Sequence, residues 1–144
     1  MATRRDPLRN FRFRVEIDGI AAAAFSEAII GAATTQVIDY REGTDPTHVR
    51  KLPGLTRFDN VTLRRGITES LELYNWYTEI STGQTAAARR NLVIVIADES
   101  GADQVRFVVR QAWPTRYQAS ALNGTGNEVF IETLELANEG IERE

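Results

Sequence analysis

A strict two-residue alternation runs through residues 10–18 and limits what this chain can fold into. Charged residues separate its apolar members, which are Phe11, Phe13, Val15 and Ile17. Successive side chains of an extended strand point to opposite faces, so the pattern predicts a β-strand with one buried face. Asp18-Gly19 follows directly and predicts a tight turn with φ > 0 at both positions, from which residues 20–28 return as a second strand.

The same period recurs along most of the chain and predicts a largely β protein. Further strands are expected at residues 34–40, 61–64, 92–96, 105–109 and 128–137. Trp113-Pro114 is expected to bend or end the strand that precedes it, because proline cannot donate to a β-ladder. Both faces of the last strand mix apolar and charged residues, which predicts that another subunit covers part of its outer surface.

Residues 69–81 carry the one helical pattern. Apolar side chains recur there at helical spacing, and they are Leu73, Trp76, Tyr77 and Ile80. Thr68 is a suitable N-cap for this helix. The chain is therefore expected to form a mainly β, antiparallel barrel or sandwich with one packed α-helix. We expect a single domain over residues 1–144 that begins with a polar arm at 1–9.

Residues 41–60 interrupt the strand pattern. Two prolines, two glycines and many charged residues are expected to deny this segment a regular ladder, which predicts a long protruding loop. Long irregular connections are uncommon in compact domains unless they have a function. The apolar residues within it are Val49, Leu52, Leu55 and Phe58. The sequence therefore predicts an ordered extension that packs on something outside its own domain.

The composition leaves little material for catalysis. The chain has 17 basic and 20 acidic residues, and its net charge of −3 does not attract nucleic acid. It has no cysteine and one histidine, His48, which excludes thiol catalysis and leaves almost no ligands for zinc. Phosphate-binding, nucleophile-elbow and dinucleotide motifs are absent. We therefore expect no catalytic residue, no cofactor and no bound metal.

The distribution of apolar residues also bears on where the chain is made. No apolar run approaches the length of a membrane span, and the first residues have no apolar segment of the kind that a secretory leader carries. We therefore expect synthesis and folding in the cytoplasm.

Three other functions remain open on these patterns. A stand-alone small β-barrel would bind a ligand in an apolar interior. A hydrolase would use Asp98 and Glu99 as paired carboxylates, although a solvated turn around Gly101 explains this cluster better. A nucleic-acid binder would use the basic pairs Arg4-Arg5, Arg64-Arg65 and Arg89-Arg90, which solvated faces or intersubunit ion pairs explain better.

Several blocks of the sequence, taken together, resemble one family. They are residues 10–19, Phe25-Ser26-Glu27, residues 40–46, Arg50-Lys51-Leu52-Pro53-Gly54, residues 60–68, Ala112-Trp113-Pro114 and residues 127–140. In this order they are similar to the motifs of the T4-like tail tube protein family of contractile phage tails and related injection systems. The resemblance covers nearly the whole chain. Two features differ: Asn138 stands where the family often carries histidine, and the segment after the first turn is unusually rich in alanine.

The resemblance implies a structural subunit and not an enzyme. Members form rings of six that stack into a hollow tube inside a contractile sheath. Strands of neighbouring subunits join around the lumen, and the helix lies on the outer side. The implied partners are the chain itself, a sheath protein, a baseplate or tube initiator, a tail terminator and cargo in the lumen, without sequence-specific nucleic-acid binding. The compact length favours the main tube subunit of a phage tail or phage-tail-like injection particle over an initiator paralogue.

The resemblance also implies contact regions. The 41–60 loop is expected to reach neighbouring subunits, and the N-terminal arm is expected to lie between rings. The predicted contact residues are Arg4, Arg5, Arg41, Glu42, Asp45, His48, Arg50, Lys51, Leu52, Leu55 and Phe58. The lumen candidates are polar residues of a hairpin expected over residues 20–40, namely Ser26, Glu27, Thr34 and Gln36, and a register slip of one residue would invert that choice.

Overall fold

The computed structural model describes residues 12–23, 25–44, 46–67, 69–121 and 130–144. Its strands are β1 (Arg12–Ile17), β2 (Ile20–Ala23), β3 (Glu27–Ile29), β4 (Ala33–Tyr40), β5 (Arg50–Phe58), β6 (Val61–Gly66), β7 (Arg90–Ala97), β8 (Asp103–Ala121), β9 (Phe130–Ala137) and β10 (Gly140–Arg143). Its helices are α1 (Glu72–Ser81) and the single turn α2 (Thr85–Ala88). The predicted fold class, mainly β and antiparallel with a packed helix, is confirmed.

Eight strands form one continuous antiparallel sheet in the order β2-β1-β7-β8-β9-β6-β3, and β10 pairs with β8 beside this path. The sheet folds over on itself, so that Val15 and Ile94 from one half share a core with Leu63 and Leu134 from the other. Within the described residues, the end strands β2 and β3 are each paired on one side only. The remaining strands, β4 and β5, form a separate two-stranded hairpin.

Strand β8 connects the two halves of the folded sheet. Its first part pairs with β7 and its second part with β9. The change of partner falls at Trp113 and Pro114, next to a register shift and to Gln111, whose φ is 53°. Trp113-Pro114 therefore bends the strand without ending it. Proline is tolerated there because a bulge leaves its missing N–H without a ladder partner.

Helix α1 packs its apolar face into the core of the same subunit. Leu73 and Trp76 are each 1% exposed, and the Trp76 Nε1–H donates a hydrogen bond to the Ala88 carbonyl oxygen at the end of α2. The helix begins at Glu72, three residues later than the sequence predicted, and the expected N-cap Thr68 lies outside the described residues. The short helix α2 was not predicted.

The segment after the first turn differs from the prediction. Ile17 pairs with Ile20, so Asp18 and Gly19 form a two-residue turn, but φ is positive only at Gly19, where it is 75°. The returning segment is not one strand. Strand β2 pairs with β1, whereas β3 pairs with β6 at the far end of the sheet. The segment divides because β6 offers residues 27–29 a second ladder on its unpaired side.

The predicted irregular loop at residues 41–60 is wrong over half of its length. Strand β5 pairs with β4 over most of its residues, and only residues 41–49 remain as a connection. Pro53 is accommodated because each strand of a two-stranded hairpin is an edge strand with one unpaired side. Gly54 lies beside a register shift, where an added Cβ would come within 3.0 Å of the Ile38 side chain.

The charge on the apolar face of β9 is satisfied inside the subunit. Glu132 shares a face with Leu134 and Leu136 and is 1% exposed. Its carboxylate accepts hydrogen bonds from Arg65 Nε and from Tyr117 Oη, the latter at 2.7 Å. The expectation that another subunit covers this strand is therefore wrong at Glu132.

The basic pairs also find partners within the chain. Arg64 forms an ion pair with Glu27 at 2.9 Å, Arg89 with Glu139 at 2.6 Å and Arg90 with Glu79 at 3.4 Å. These partly exposed pairs are consistent with solvated faces, and intersubunit ion pairs at these positions stay a prediction.

Candidate functional site

The acidic cluster at residues 98–103 holds a turn. The hydroxyl of Ser100 donates to Asp98 Oδ1 at 2.6 Å, and the backbone N–H groups of Ser100 and Ala102 donate to the same oxygen. These bonds, with the Ser100 hydroxyl first, hold the pKa of Asp98 below its ordinary value. Gln104 donates to the other carboxylate oxygen at 2.9 Å. A carboxylate occupied in this way serves the turn and does not form an acid–base pair with Glu99.

The described part of the chain also shows no clustered metal ligands. It contains no group of three or more histidine or acidic side chains that could hold a metal ion. His48 lies exposed in the connection between β4 and β5. Neither α1 nor α2 has the length and apolar character needed to cross a membrane, and the described residues contain no further helix.

The β4–β5 hairpin has two unlike faces. The paired residues alternate between them, so one face carries Thr34, Gln36, Ile38, Tyr40, Arg50, Leu52, Leu55 and Arg57. We call this surface the hairpin face. The opposite face carries Val37 among polar residues: the hydroxyl oxygens of Thr35 and Thr56 are 2.9 Å apart, and Lys51 Nζ lies 3.2 Å from an Asp39 carboxylate oxygen.

The hairpin face has unusually exposed apolar side chains for a single subunit. Leu55 is 73% exposed, and Ile38 and Leu52 are 45% and 43% exposed. An isolated two-stranded hairpin is marginally stable in water, and a contiguous apolar surface marks a protein contact. The base of the hairpin is held to the body, since Asn138 Nδ2 donates to the Asp59 carbonyl oxygen at 3.0 Å.

The structure distributes the predicted contact residues over this hairpin. Arg41, Glu42 and His48 lie in the connection, and Arg50, Lys51, Leu52, Leu55 and Phe58 lie on β5. Lys51 is on the opposite face from Leu52 and Leu55, so a single partner surface would not meet all three. Arg4, Arg5 and Asp45 lie outside the described residues, as does the arm at 1–9.

The four lumen candidates do not form one surface. Ser26 and Glu27 lie at the start of β3, where the Ser26 hydroxyl donates to the Arg64 carbonyl oxygen. Thr34 and Gln36 lie on the hairpin face, beside Leu55 and Arg57. The prediction treated residues 20–40 as one hairpin, whereas the chain divides them between the two ends of the sheet and a separate hairpin.

The four strands β3, β6, β9 and the second part of β8 present a polar face away from the core. Their registers align Glu27, Arg64, Thr133 and Gln118 in one row, and Ile29, Thr62, Glu135 and Arg116 in the next, where Ile29 is the one apolar member. Arg64 pairs with Glu27, and Arg116 Nη1 lies 3.8 Å from Glu135. The face carries two arginines and two glutamates and has no net charge from them. We call it the polar sheet face.

The predicted helix residues face inward. Leu73 and Trp76 are buried, Ile80 packs against the core, and Tyr77 stacks on Tyr117 with ring centroids 6.4 Å apart. Burial, together with the hydrogen bond that the Tyr117 hydroxyl donates to Glu132, raises the pKa of Tyr117 to about 12. These side chains therefore fix the helix to its own subunit, and any outer contact of the helix must use its other side.

A second exposed apolar surface lies at the end of the sheet near the start of α1. Its members are Ile67, Leu71, Tyr74 and Phe130, which we call the end patch, and each is more than 40% exposed. Backbone hydrogen bonds hold both sides of the end patch. On the sheet side, the Ile67 N–H donates to the Phe130 carbonyl oxygen at 2.8 Å. On the helix side, the N–H of Asn75, which follows Tyr74, donates to the Leu71 carbonyl oxygen.

The family follows from the sequence as a whole. The family model described as T4-like virus tail tube protein gp19 matches residues 9–142. The chain belongs to this tail tube family. The resemblance inferred from the sequence blocks is thereby confirmed, and the protein is a structural tail tube protein and not an enzyme. No curated protein sequence matches the chain.

Solved structures share the tail tube fold at low sequence identity. A chain of the anti-feeding prophage cap, described as the AFP tube terminating cap, is 24% identical over 100% of this chain and 95% of its own, with a TM-score of 0.84. A chain of the PVC sheath–tube complex of an extracellular contractile injection system is 23% identical over 96% and 91%, with a TM-score of 0.82. Hcp1 from Flavobacterium johnsoniae is 13% identical over 91% and 93%, with a TM-score of 0.62.

Sequence reasoning located the segment that forms the exposed hairpin of this tail tube protein but missed the end patch. The signal was present, because Ile67 continues the alternation of Val61 and Leu63 beyond the end of β6. Ile67 and Phe130 fit the strand pattern of core residues, and only the folded sheet shows that the core formed by the described residues does not extend to them.

Proposed function

We propose that this tail tube protein assembles into stacked hexameric rings around a lumen and forms the inner tube of a contractile tail or injection system. The observation that carries the proposal is the hairpin, which exposes Ile38, Leu52 and Leu55 on a face that the described residues of its own domain leave uncovered. Membership of the tail tube family supports a tube as the assembly, and the hairpin face is the surface through which we expect copies of this chain to contact one another. A stable subunit with this surface uncovered is expected to associate.

The one-sided strands of the sheet support closure into a ring. Strands β2 and β3 end the described sheet with one side unpaired, and β10 is paired only with β8. Unpaired edges invite uncontrolled pairing unless another strand covers them. We propose that ladders with neighbouring subunits cover them in the ring, which would remove the edges as closure of a barrel does.

The proposed partners follow from the same assembly. Solved relatives come from a sheath–tube complex, a tube terminating cap and a baseplate. We propose that this chain likewise contacts a sheath, a terminator and a baseplate or initiator. It would be made in the cytoplasm and conduct DNA or effector cargo as the main tube subunit.

We further propose that the polar sheet face lines the lumen. It is the face of the sheet turned away from the core, and its arginines and glutamates balance. A polar wall without net charge neither holds nor repels charged cargo strongly. Of the sequence-derived candidates Glu27 lies on this face, and the lumen positions of Ser26, Thr34 and Gln36 stay predictions.

The assembly can be tested by electron microscopy of the wild type and of Leu52→Asp. The protein is purified alone and after co-expression with its cognate sheath and baseplate proteins. The wild type is expected to give six-fold rings and hollow tubes of uniform diameter. Leu52→Asp is expected to keep the fold and melting temperature but lose tubes, because a carboxylate cannot be buried without a partner in an apolar contact.

The matched control is Val37→Asp, which places the same charge on the opposite face of the hairpin at an apolar residue that is 59% exposed. It is expected to form tubes. Tubes of normal length and yield from Leu52→Asp would rule out the hairpin face as an assembly surface. A wild type that stays monomeric beside its sheath and baseplate would overturn the tube itself.

The lumen assignment can be tested by thiol labelling, because the chain has no cysteine. Thr133→Cys places a thiol on the polar sheet face, and Ser81→Cys places one at the exposed end of α1. A polymer-linked maleimide too large to enter the tube is expected to label both variants as free subunits. In assembled tubes it is expected to label Ser81→Cys alone. Equal labelling of both variants in intact tubes would show that the polar sheet face is not in the lumen.

A further inference from the structure

We infer that the hairpin face of one copy docks on the end patch of a second copy, an assignment of the contact surface that rests on the proposed self-assembly. The end patch comprises Ile67, Leu71, Tyr74 and Phe130. The inference identifies what receives the hairpin, and therefore which two surfaces form the repeating junction.

The end patch lies beyond a buried layer of two charged side chains, Arg65 and Glu132, at which the apolar core ends. We call this pair the polar layer. Along β9 the inward side chains are Leu136 and Leu134, then the buried Glu132, and finally Phe130, which is 53% exposed. Strand β6 repeats this order with Arg65 buried and Ile67 exposed at its end. Among the described residues, nothing in the core of the same subunit covers this apolar tier outside the buried ion pair. The tier is explained when a second molecule covers it.

Helix α1 completes the patch. Tyr74 packs edge-on against Tyr117 with ring centroids 5.4 Å apart, and Tyr117 is itself bonded to Glu132 in the polar layer. Leu71, which is 61% exposed, stands one turn before Tyr74. The polar layer therefore holds the sheet side of the patch directly and the helix side through Tyr117, and both sides are in place in the free subunit.

The position of the hairpin favours a second copy over the subunit's own hairpin. The hairpin leaves the body at Asp59, next to the first residue of β6, whereas Ile67 follows the last residue of the same strand. The six residues of β6 separate these two points by about 20 Å. A donor surface at one end of a strand and an acceptor at the other form a heterologous contact, which repeats along an axis when copies stack.

The charges around the two surfaces are complementary. The paired residues of the hairpin face include Arg50 and Arg57 and no acidic residue, and a neighbouring carboxylate, Glu42, accepts from the Tyr40 hydroxyl at 2.7 Å beside Arg50. Arg57, at the other end of the face, is the arginine farther from this carboxylate. Residues 67–75, which include the helix side of the patch, carry Glu69 and Glu72 and no basic residue. Opposite charges at the rim of an apolar contact orient the partners and speed their encounter. The inference therefore specifies apolar contact at the centre and arginine against glutamate at the rim.

Disulfide trapping tests this junction directly. Leu55→Cys combined with Phe130→Cys is expected to give a ladder of covalent multimers when assembled protein is oxidised, with each bond joining two copies. Each single variant is expected to give no ladder. The matched control is Val37→Cys with Phe130→Cys, which moves the thiol to the other hairpin face and is expected to cross-link at least about tenfold less.

Charge reversal supplies a second, independent measurement. Arg57→Glu is expected to slow assembly about tenfold, and Glu69→Arg in the same chain is expected to restore it. A cross-link confined to the monomer, equal yields from the two cysteine pairs, or assembly from Arg57→Glu that Glu69→Arg does not improve would overturn the inference. Such results with intact wild-type tubes leave the tube function standing, whereas an absence of wild-type tubes removes both.

Discussion

Trp76→Ala is expected to lower the free energy of unfolding by about 3–5 kcal/mol. The side chain is 1% exposed in the core formed by α1 and the sheet. Its loss leaves a large cavity and also removes the Nε1–H donor to the Ala88 carbonyl oxygen, which secures α2 against α1. Chemical denaturation monitored by circular dichroism would measure the change in the free subunit.

Leu71→Ala is the matched control, because Leu71 immediately precedes the same helix but is 61% exposed. It is expected to change the free energy of unfolding by less than about 0.5 kcal/mol. An equal loss in the two variants, or an unchanged melting temperature in Trp76→Ala, would contradict the placement of Trp76 in the core. Leu71→Ala would instead weaken assembly if the end patch receives the hairpin.

Breaking the buried ion pair between Arg65 and Glu132 is expected to lower the free energy of unfolding by about as much as Trp76→Ala does. Arg65→Met or Glu132→Leu alone should lower the free energy of unfolding by about 3–5 kcal/mol, because each leaves an uncompensated charge in the interior. The pair is 6% and 1% exposed. Replacing both residues together is expected to cost much less, since two apolar side chains need no partner. A double-mutant cycle on the free subunit measures the difference as a coupling energy.

An ion pair at the surface is the matched control for the buried pair. Arg110 and Glu142 form a two-bond contact at the surface, with bonds of 3.1 Å and 2.9 Å, which lowers the pKa of Glu142. Solvent screens such a pair, so Glu142→Gln is expected to change stability far less than Glu132→Leu. Additive losses in the Arg65 and Glu132 cycle would show that the two charges do not compensate each other.

The buried residues and the residues of the hairpin face allow stability and assembly to be measured separately. Trp76 and the Arg65–Glu132 pair are buried in one subunit, so their variants should fail as free subunits. Leu52 and Leu55 are exposed on the hairpin face, so their variants should fold and fail only when copies meet. Measuring unfolding and tube formation on the same set of variants therefore distinguishes a folding defect from a lost contact.

Local pattern predicted the elements whose partners lie close by in sequence or whose periodicity is unbroken. Strand β1, the apolar face of α1 and the turn at Asp98 follow from spacing alone, because a buried face imposes its period on the residues that form it. The last strand did not follow in the same way. Glu132 interrupts its apolar face, and the arginine that compensates it is 67 residues away along the chain.

The candidate site could be predicted as a region but not as a surface. The apolar residues of the 41–60 segment indicated an extension with a partner elsewhere. Its conformation was missed because Pro53 and Gly54 are unfavourable in a central strand, whereas a free hairpin accepts them at an edge. The end patch was missed for the opposite reason, since Ile67 and Phe130 fit a strand pattern that is equally typical of a core.

The sequence by itself determined the mainly β class, the packed helix, the poverty of catalytic groups and the tail tube family, because period, composition and ordered motifs are properties of the chain. Only the tertiary structure decided which apolar residues are core and which are surface. That distinction depends on where the strands of the folded sheet no longer have core residues packed against them. Strand β8 changes partner at Pro114, the Arg65–Glu132 layer closes the core, and the side chains beyond that layer and on the hairpin stay exposed in the subunit.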